Sequence, residues 1–410
     1  MKKLNLVLVA AIAAATLAAC GGGSSGTAST GAGATTTVAG SATLKGTIPV
    51  TGIAAGAKGF TYDGGQVVAA DGKFYLTDRN NRGVDIVDLN TFTLVGIAQG
   101  DGALAFTGQA VNPDGSANNT QTGPNSLAKI PGTNKLYVTD VNSVKVVDVT
   151  TKKVVKSIAI TDKNGAPTGN RTDGSCLDAD DHIFMAMNSA DFFITWIDTN
   201  TDQVIARYDY DPATQPAGLE VCAYVPSLKK FFVNDDGNAT NGDGQLDSFY
   251  LVDVLAKAPK LIDQIPLPGC FPNGLAVGPN NEAVIGCDAY GSTEGNPFIT
   301  DIVDLKGGSV IAQVPFGGSD LVSYDPVSNR YFLGSRNWQK GGKFFLAQPK
   351  NPSLGIIDAA TRKFIDAVPA GSGAHTAVVD SANRVVYVPY TPTSSNPAFV
   401  NGGIGVYTIN

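Results

Sequence analysis

A six-residue apolar segment occurs seven times in this chain, at intervals of roughly 47 to 62 residues. The copies are KFYLTD (73–78), KLYVTD (135–140), HIFMAM (182–187), KFFVND (230–235), EAVIGC (282–287), RYFLGS (330–335) and RVVYVP (384–389). Alternating apolar residues bounded by Gly, Asp and Asn indicate β-strands throughout. The chain is therefore expected to be a tandem array of small β-sheets.

A second apolar segment follows six of the copies and carries an aspartate where the strand gives way to a turn. These aspartates are Asp88, Asp148, Asp198, Asp253, Asp304 and Asp358. A carboxylate in that place accepts backbone N–H groups of the turn, so a structural role is favoured over a catalytic one. A third strand follows directly, and a short strand precedes each copy, which gives four antiparallel strands per unit.

Seven four-stranded units predict an all-β protein, a seven-bladed β-propeller formed by residues 43–410. The last unit ends at GGIGVYTIN (402–410) with only three strands. The segment TLKGTIPV (43–50) matches the outer strands of other units, including a proline that is tolerated where one side of the backbone is unpaired. We therefore predict that this N-terminal strand completes the last blade and closes the ring.

The N-terminus has the pattern of a targeting segment. Lys2 and Lys3 precede an apolar run, Leu4 to Thr16, that is too short to span a membrane as a mature helix. The sequence LAAC, ending at Cys20, resembles a bacterial lipobox, although an ordinary secretory signal is the alternative. The resemblance implies a signal peptide over 1–19 and lipidation of Cys20. It also implies a cell-envelope protein that Gly21 directs to the outer membrane, on either its periplasmic or its outer face.

Residues 20–42 are nearly all Gly, Ser, Thr and Ala, a composition typical of a flexible tether. The net charge of −7 gives no basic field, which argues against nucleic acid as a partner.

Four cysteines remain after Cys20, and an even number in an oxidising compartment suggests disulfides. A hairpin turning near Asn280 brings Cys270 close to Cys287. That leaves Cys176 to pair with Cys222, at the inner strands of adjacent blades.

The repeats resemble the YVTN family of bacterial β-propellers, with KLYVTDVNSVKVVDVTTKKVVKSIAI (135–160) as the best match. The resemblance covers nearly all of residues 43–410. It implies the propeller fold but no single activity, because such propellers serve binding, lactone hydrolysis and electron transfer alike.

Polar residues occupy one equivalent position at the start of almost every inner strand. They are Asn125, Asp173, Glu220, Asn273, Asp320 and His375, with Asp63 or Gly64 in the first unit. Inner strands line the central channel of a propeller, so these side chains are expected to form a ring at its mouth. Carboxylate and amide oxygens suit Ca²⁺ or another divalent cation, whereas solvation of the channel and Asx turns is the structural alternative.

The segment around Asn273, FPNGLAVGP, and the segment around Asp320, GSDL, are similar to strand starts in gluconolactonase-like and paraoxonase-like propellers. That similarity implies metal ligation by these two residues, with Glu220 a further candidate. His375 is the one histidine at the ring and the candidate general base, unless it only hydrogen-bonds a turn.

Long loops in blades four to seven carry aromatic residues, Tyr290, Trp338, Phe344, Phe345, Tyr390 and Phe399, that suit a sugar, peptide or protein partner or merely pack the loops down. Two functions follow from the sequence. The first is a lipid-anchored binding or scaffolding module for a protein, peptide or carbohydrate. The second is a metal-dependent lactonase or related hydrolase that uses the channel mouth.

Overall fold

The computed structural model describes residues 41–52, 60–211, 213, 218–237, 243–288, 294–392 and 396–410. The predicted signal peptide, Cys20 and nearly all of the predicted tether lie outside these ranges, as does Tyr290. Within them the regular secondary structure is almost entirely β-strand, and none of the helices has the length and hydropathy of a membrane span.

The strands of the first three blades, preceded by the N-terminal strand, are β1 (Ala42–Ile48), β2 (Tyr62–Val68), β3 (Lys73–Asp78), β4 (Gly83–Asp88), β5 (Thr93–Ala98), β6 (Leu127–Lys129), β7 (Lys135–Asp140), β8 (Ser143–Asp148), β9 (Lys153–Ala159), β10 (Ser175–Asp178), β11 (Ile183–Asn188), β12 (Phe193–Asp198) and β13 (Gln203–Asp209). The strands of the remaining blades are β14 (Leu219–Val225), β15 (Lys230–Asp235), β16 (Gly244–Tyr250), β17 (Leu261–Leu267), β18 (Phe271–Val277), β19 (Glu282–Asp288), β20 (Thr300–Asp304), β21 (Ser309–Val314), β22 (Val322–Asp325), β23 (Arg330–Ser335), β24 (Ser353–Asp358), β25 (Lys363–Pro369), β26 (Val378–Asp380), β27 (Val385–Tyr390) and β28 (Gly403–Ile409). Short 3-10 turns occur at Ala69–Asp71, Gly102–Leu104, Asn119–Gln121, Pro279–Asn281 and Pro397–Phe399.

The strands form seven four-stranded antiparallel sheets within the described ranges, which confirms the predicted β-propeller. Six sheets use four consecutive strands, from β2–β5 in blade 1 to β22–β25 in blade 6. The seventh has the order β1-β28-β27-β26, so the N-terminal strand completes it as predicted. Ala42 lies opposite Ile409 and Ile48 opposite Ile404 in that pairing.

The hydrophobic core is divided into seven clusters, one between each pair of neighbouring blades. Between blades 3 and 4, for example, the fully buried Trp196 lies edge-on to Phe249, with their ring centroids 5.5 Å apart. Each blade is therefore stabilised by its neighbours on both sides, and the closing strand completes the last of these contacts.

Five of the six turn aspartates accept backbone N–H groups two or three residues further on, as their position predicts. The prediction is wrong for Asp253. It lies in a single-turn α-helix, α1 (Leu251–Leu255), that follows β16, so the third strand of blade 4 ends earlier than its apolar pattern indicates.

Both predicted disulfides are present. Cys176 and Cys222 join the inner strands of blades 3 and 4, with Cα atoms 5.5 Å apart, and Cys270 joins Cys287 with Cα atoms 5.0 Å apart. The second bridge runs diagonally, because a bulge after Pro272 places that residue opposite Cys287.

The ring has two faces. We call the mouth face the one at which β3 and β23 end, where Arg79 and Arg336 follow. The far face is the one at which the same two strands begin, with Lys73 and Arg330.

Candidate functional site

A polar cavity opens on the mouth face around the channel axis. It has two adjoining parts, of about 300 and 550 Å³. Five residues line both parts: Asn119, Arg171, Glu220, Asn273 and Arg336. We call this cavity the funnel.

The structure brings the predicted ring residues together. Asp173, Glu220, Asn273, Asp320 and His375 all line the funnel, and blade 1 contributes Asp63. Asn125, the remaining predicted ring residue, does not line the funnel, and the roles predicted for these side chains stay predictions.

Glycine follows the ring residue in several blades and explains how the inner strands come so close. A Cβ atom on Gly174 would lie 2.0 Å from the carbonyl oxygen of Glu220, and one on Gly274 would lie 2.0 Å from that of Asp320. No side chain larger than glycine fits such an approach. In the pairs Asp173-Gly174 and Asn273-Gly274, the first residue thus places a polar side chain at the mouth. The glycine lets the backbone of the next blade pack against the strand.

Asn125 has a structural role, because its amide is fully used within the protein. Its side chain is completely buried, and its Nδ2 donates to the carbonyl oxygens of Thr122 and Thr172 at 3.1 and 3.0 Å. Its Oδ1 accepts from Arg79 Nη2 at 2.6 Å.

Three arginines form part of the site, although the sequence analysis singled out none of them. Arg79 pairs with Asp63, and Arg171 pairs with Asp173. Arg336 pairs with two carboxylates, Asp288 at 2.7 Å and Asp320 at 3.0 Å. Each guanidinium is therefore held in place by a carboxylate of the funnel wall, which fixes its orientation.

A sequence signal for two of these arginines does exist. Arg79 and Arg336 are the first residues after the second strand of their blades, and Asp236 has the same position in blade 4. Aligning the end of the second strand, as well as the start of the inner strand, identifies these charged residues.

The buried carboxylates of the funnel form two groups, those that pair with an arginine and those that do not. Burial raises the pKa of Asp173 to about 6 and that of Asp320 to about 7, even though Arg171 and Arg336 act in the opposite direction. Glu220 and Asp236 have no ion pair among the described residues. Burial, followed by the charges of Asp173 and Asp236, raises the pKa of Glu220 well above its usual value, and burial raises that of Asp236 to about 8.

His375 is neutral at physiological pH. Burial and the nearby charge of Arg336 lower its pKa to about 4. Its Nδ1 lies 2.7 Å from the carbonyl oxygen of Gly373 and therefore carries the ring proton, which leaves Nε2 with a lone pair, 3.8 Å from Asp63. His375 can accept a hydrogen bond from a ligand, while its low basicity makes it a weak general base near pH 7.

The donor set fits a divalent cation poorly. Asp173 and Asp320 are already occupied by arginines. Among the described residues the only three acidic, histidine or cysteine ligand atoms within 4.8 Å of one another belong to Cys270, Cys287 and Asp301, and both cysteines are in a disulfide. A hard cation needs six to eight oxygens. The predicted cation stays a prediction, and no chemical step is derived from it.

The aromatic loop residues that the structure describes pack mainly against the protein. Tyr390 and Phe399 are buried against each other, with centroids 4.8 Å apart. Trp338 packs on Phe316, with centroids 4.5 Å apart. Their packing favours the structural alternative for these aromatics and leaves the funnel as the better candidate for recognition.

The fold and the funnel together define a seven-bladed β-propeller with a charged, preformed cavity at the mouth of its channel. Similar solved structures include one titled hydrazine synthase, from Kuenenia stuttgartiensis, at 15% identity, with a TM-score of 0.57 and coverage of 83% of this chain and 95% of that one. Another is titled crystal structure of the mitotic checkpoint complex, at 11% identity, with a TM-score of 0.59 and coverage of 93% and 96%. At these identities the likeness concerns the fold alone. No protein-family model and no curated protein sequence matches the chain.

Proposed function

We propose that this protein is a binding module of the bacterial cell envelope, and that its ligand, a peptide or carbohydrate group, enters the funnel. The observation that carries the proposal is the convergence of four polar side chains on one concave site. Arg171 precedes the inner strand of blade 3, Glu220 and Asn273 lie on those of blades 4 and 5, and Arg336 follows the second strand of blade 6. Small-ligand sites are typically preformed cavities with a few convergent polar groups.

The ion pairs of the arginines and the neutral form of His375 support binding over catalysis. Each arginine is already oriented by a carboxylate, so a ligand would meet donors that lose little conformational freedom. Arg336 remains accessible, with 34% of its side chain exposed. No nucleophile with an adjacent base is part of this arrangement within the described residues, and neutral His375 is better suited to accept a hydrogen bond than to take a proton.

The proposed place in the cell rests on the N-terminal sequence. A lipid on Cys20 would attach the protein to a membrane, and the resemblance of the repeats to the YVTN family agrees with an envelope location. Replacing Cys20 with alanine should release the protein from membranes. Retention of Cys20→Ala in the membrane fraction would contradict the anchor without affecting the funnel.

A variant that fills the funnel tests the binding function. Asn119 is exposed in a 3-10 turn and lines both parts of the cavity, so Asn119→Trp should occlude the mouth while leaving the blades unchanged. Asn90, in the turn between β4 and β5 on the far face, offers the matched control Asn90→Trp.

The two variants and the wild-type chain would be screened by ligand-detected NMR against peptides and carbohydrates. We expect ligands that bind the wild-type chain and Asn90→Trp but not Asn119→Trp. Ligands that bind all three proteins equally would place recognition outside the funnel.

A further inference from the structure

One wall of the funnel has a surplus of hydrogen-bond acceptors. Asn273 is 7% exposed and Asp236 is 4% exposed, and the Oδ1 atom of each has no hydrogen-bond partner among the described residues. Leaving a buried acceptor without a donor destabilises the folded protein. Both residues line the same part of the cavity, where these atoms can accept a hydrogen bond from a donor outside the chain.

Glu220 belongs to the same wall. It lies beside Asp236 because β14 and β15 are paired, with the backbone N–H of Asp236 donating to the carbonyl oxygen of Gly218 at 3.0 Å. Glu220 and Asp236 have no ion pair among the described residues, whereas Arg171 and Arg336 are engaged by Asp173, Asp288 and Asp320. The same part of the funnel is therefore lined by arginines that are already paired and by two acidic groups that are not, within the described part of the chain.

We infer that the funnel recognises a primary ammonium group of its ligand, whose N–H donors reach Glu220, Asp236 and Asn273. An ammonium has three N–H donors and no acceptor, which complements a wall of carboxyl and amide oxygens. A hard metal ion would need six to eight oxygens, more than these three side chains supply. This inference rests on the proposed binding function and adds the chemical class of the ligand.

The ammonium could come from a free small amine or from a lysine side chain of a peptide. Calorimetric titration of the full chain with 1,4-diaminobutane and with a lysine-containing peptide separates the two sources. Tighter binding of the diamine assigns the site to small amines, and tighter binding of the peptide assigns it to peptide lysines. Either result supports ammonium recognition.

Two control compounds test the chemistry without altering the protein. 1,4-Butanediol has nearly the same shape as the diamine but no charge, and tetramethylammonium has the charge but no N–H donor. Both should bind at least about tenfold more weakly than the diamine, because each lacks the charge-assisted hydrogen bonds. Equal binding of either control would overturn the inference.

The variant Glu220→Gln keeps the shape and removes the acidic group that would ionise beside a bound ammonium, so it should weaken diamine binding by about tenfold or more. Asp181→Asn, in the far-face turn between β10 and β11, is the matched control and should bind like the wild type. Unchanged affinity in Glu220→Gln, or equal diamine binding to Asn119→Trp, would overturn the inference. If instead the diamine fails to bind while Asn119→Trp still abolishes binding of other ligands, the funnel remains the site and only the ammonium assignment fails.

Discussion

The rings of Tyr62 and His375 are stacked at the mouth face, with centroids 4.5 Å apart and planes only 4° from parallel. Tyr62 begins the inner strand of blade 1, and His375 precedes that of blade 7. The stack therefore lies at the junction where the first and last blades meet. The Tyr62 hydroxyl adds hydrogen bonding to this junction, because it lies 2.6 Å from the carbonyl oxygens of both Gly373 and Pro389.

Replacing Tyr62 with phenylalanine should lower the free energy of unfolding by about 1–3 kcal/mol, since it leaves buried carbonyl oxygens without their donor. Urea denaturation would measure the loss. Tyr324→Phe is the matched control, because the Tyr324 hydroxyl bonds Asn329 within a single blade and is less buried. An equal effect of both substitutions would show that the hydrogen bonds at this junction contribute no more to stability than one within a single blade.

A chain that begins at Thr51 should aggregate or unfold, whereas one that begins at Thr36 should be as stable as the longer protein. The shorter chain lacks β1, so it loses a ladder of hydrogen bonds worth about 0.5–1.5 kcal/mol each and the burial of Ile48, worth about 1.5–3 kcal/mol. It also exposes the edge of β28. Thermal unfolding and size-exclusion chromatography would compare the two chains. Equal stability would mean that β1 is dispensable for closure.

Substituting Asp301 with asparagine should stabilise the protein at pH 8 but not at pH 4. Asp301 is fully buried in β20, and burial raises its pKa from 3.8 to about 6. Between these values the folded state keeps a proton that the unfolded state has lost, so stability falls as the pH rises through about 6. The accumulated cost is on the order of 2–3 kcal/mol, and the asparagine variant does not incur it. Urea denaturation at both pH values would measure it; a gain independent of pH would contradict the assigned cause.

Adding a metal chelator should leave the melting temperature unchanged within about one degree, because arginines already pair with Asp173 and Asp320, two of the predicted ligands, and a bound ion would stabilise only the folded state. Added Ca²⁺ should likewise have no effect. A fall of several degrees in chelator, absent in Asp320→Ala, would instead establish the divalent cation and restore the hydrolase hypothesis.

Most of the fold could be predicted from the sequence because each blade repeats the same local pattern. The spacing of the apolar strands, the outer-strand proline of TLKGTIPV and the cysteine positions all depend on contacts between residues that are close in sequence or equivalent between blades. Blade 4 is an exception. The apolar run FYLVDVLA contains no Gly or Pro, and a short run of this kind is compatible with either a strand or a helix.

The site was predictable only in part. The starts of the inner strands supply Glu220, Asn273 and three more of the predicted ring residues to the funnel, whereas Asn125 is buried. Alignment on the starts of the inner strands misses the arginines, because Arg79 and Arg336 follow the ends of the second strands, and Arg336 of blade 6 pairs with Asp288 of the neighbouring blade 5. Nor does the sequence show which buried oxygens lack a partner, since that depends on the packed positions of every neighbouring donor.

The contacts of Ser41 show on which face of the propeller its first strand begins. Arg330 and Arg336 stand at opposite ends of β23; Arg336 lines the funnel, while Arg330 donates to the carbonyl oxygens of Ser41 and Asn410, at 3.3 and 3.0 Å. The described chain thus begins at Ser41 on the far face, away from the cavity. Ser41 and Asn410 therefore meet on the face opposite the funnel, and neither end of the described propeller obstructs its mouth.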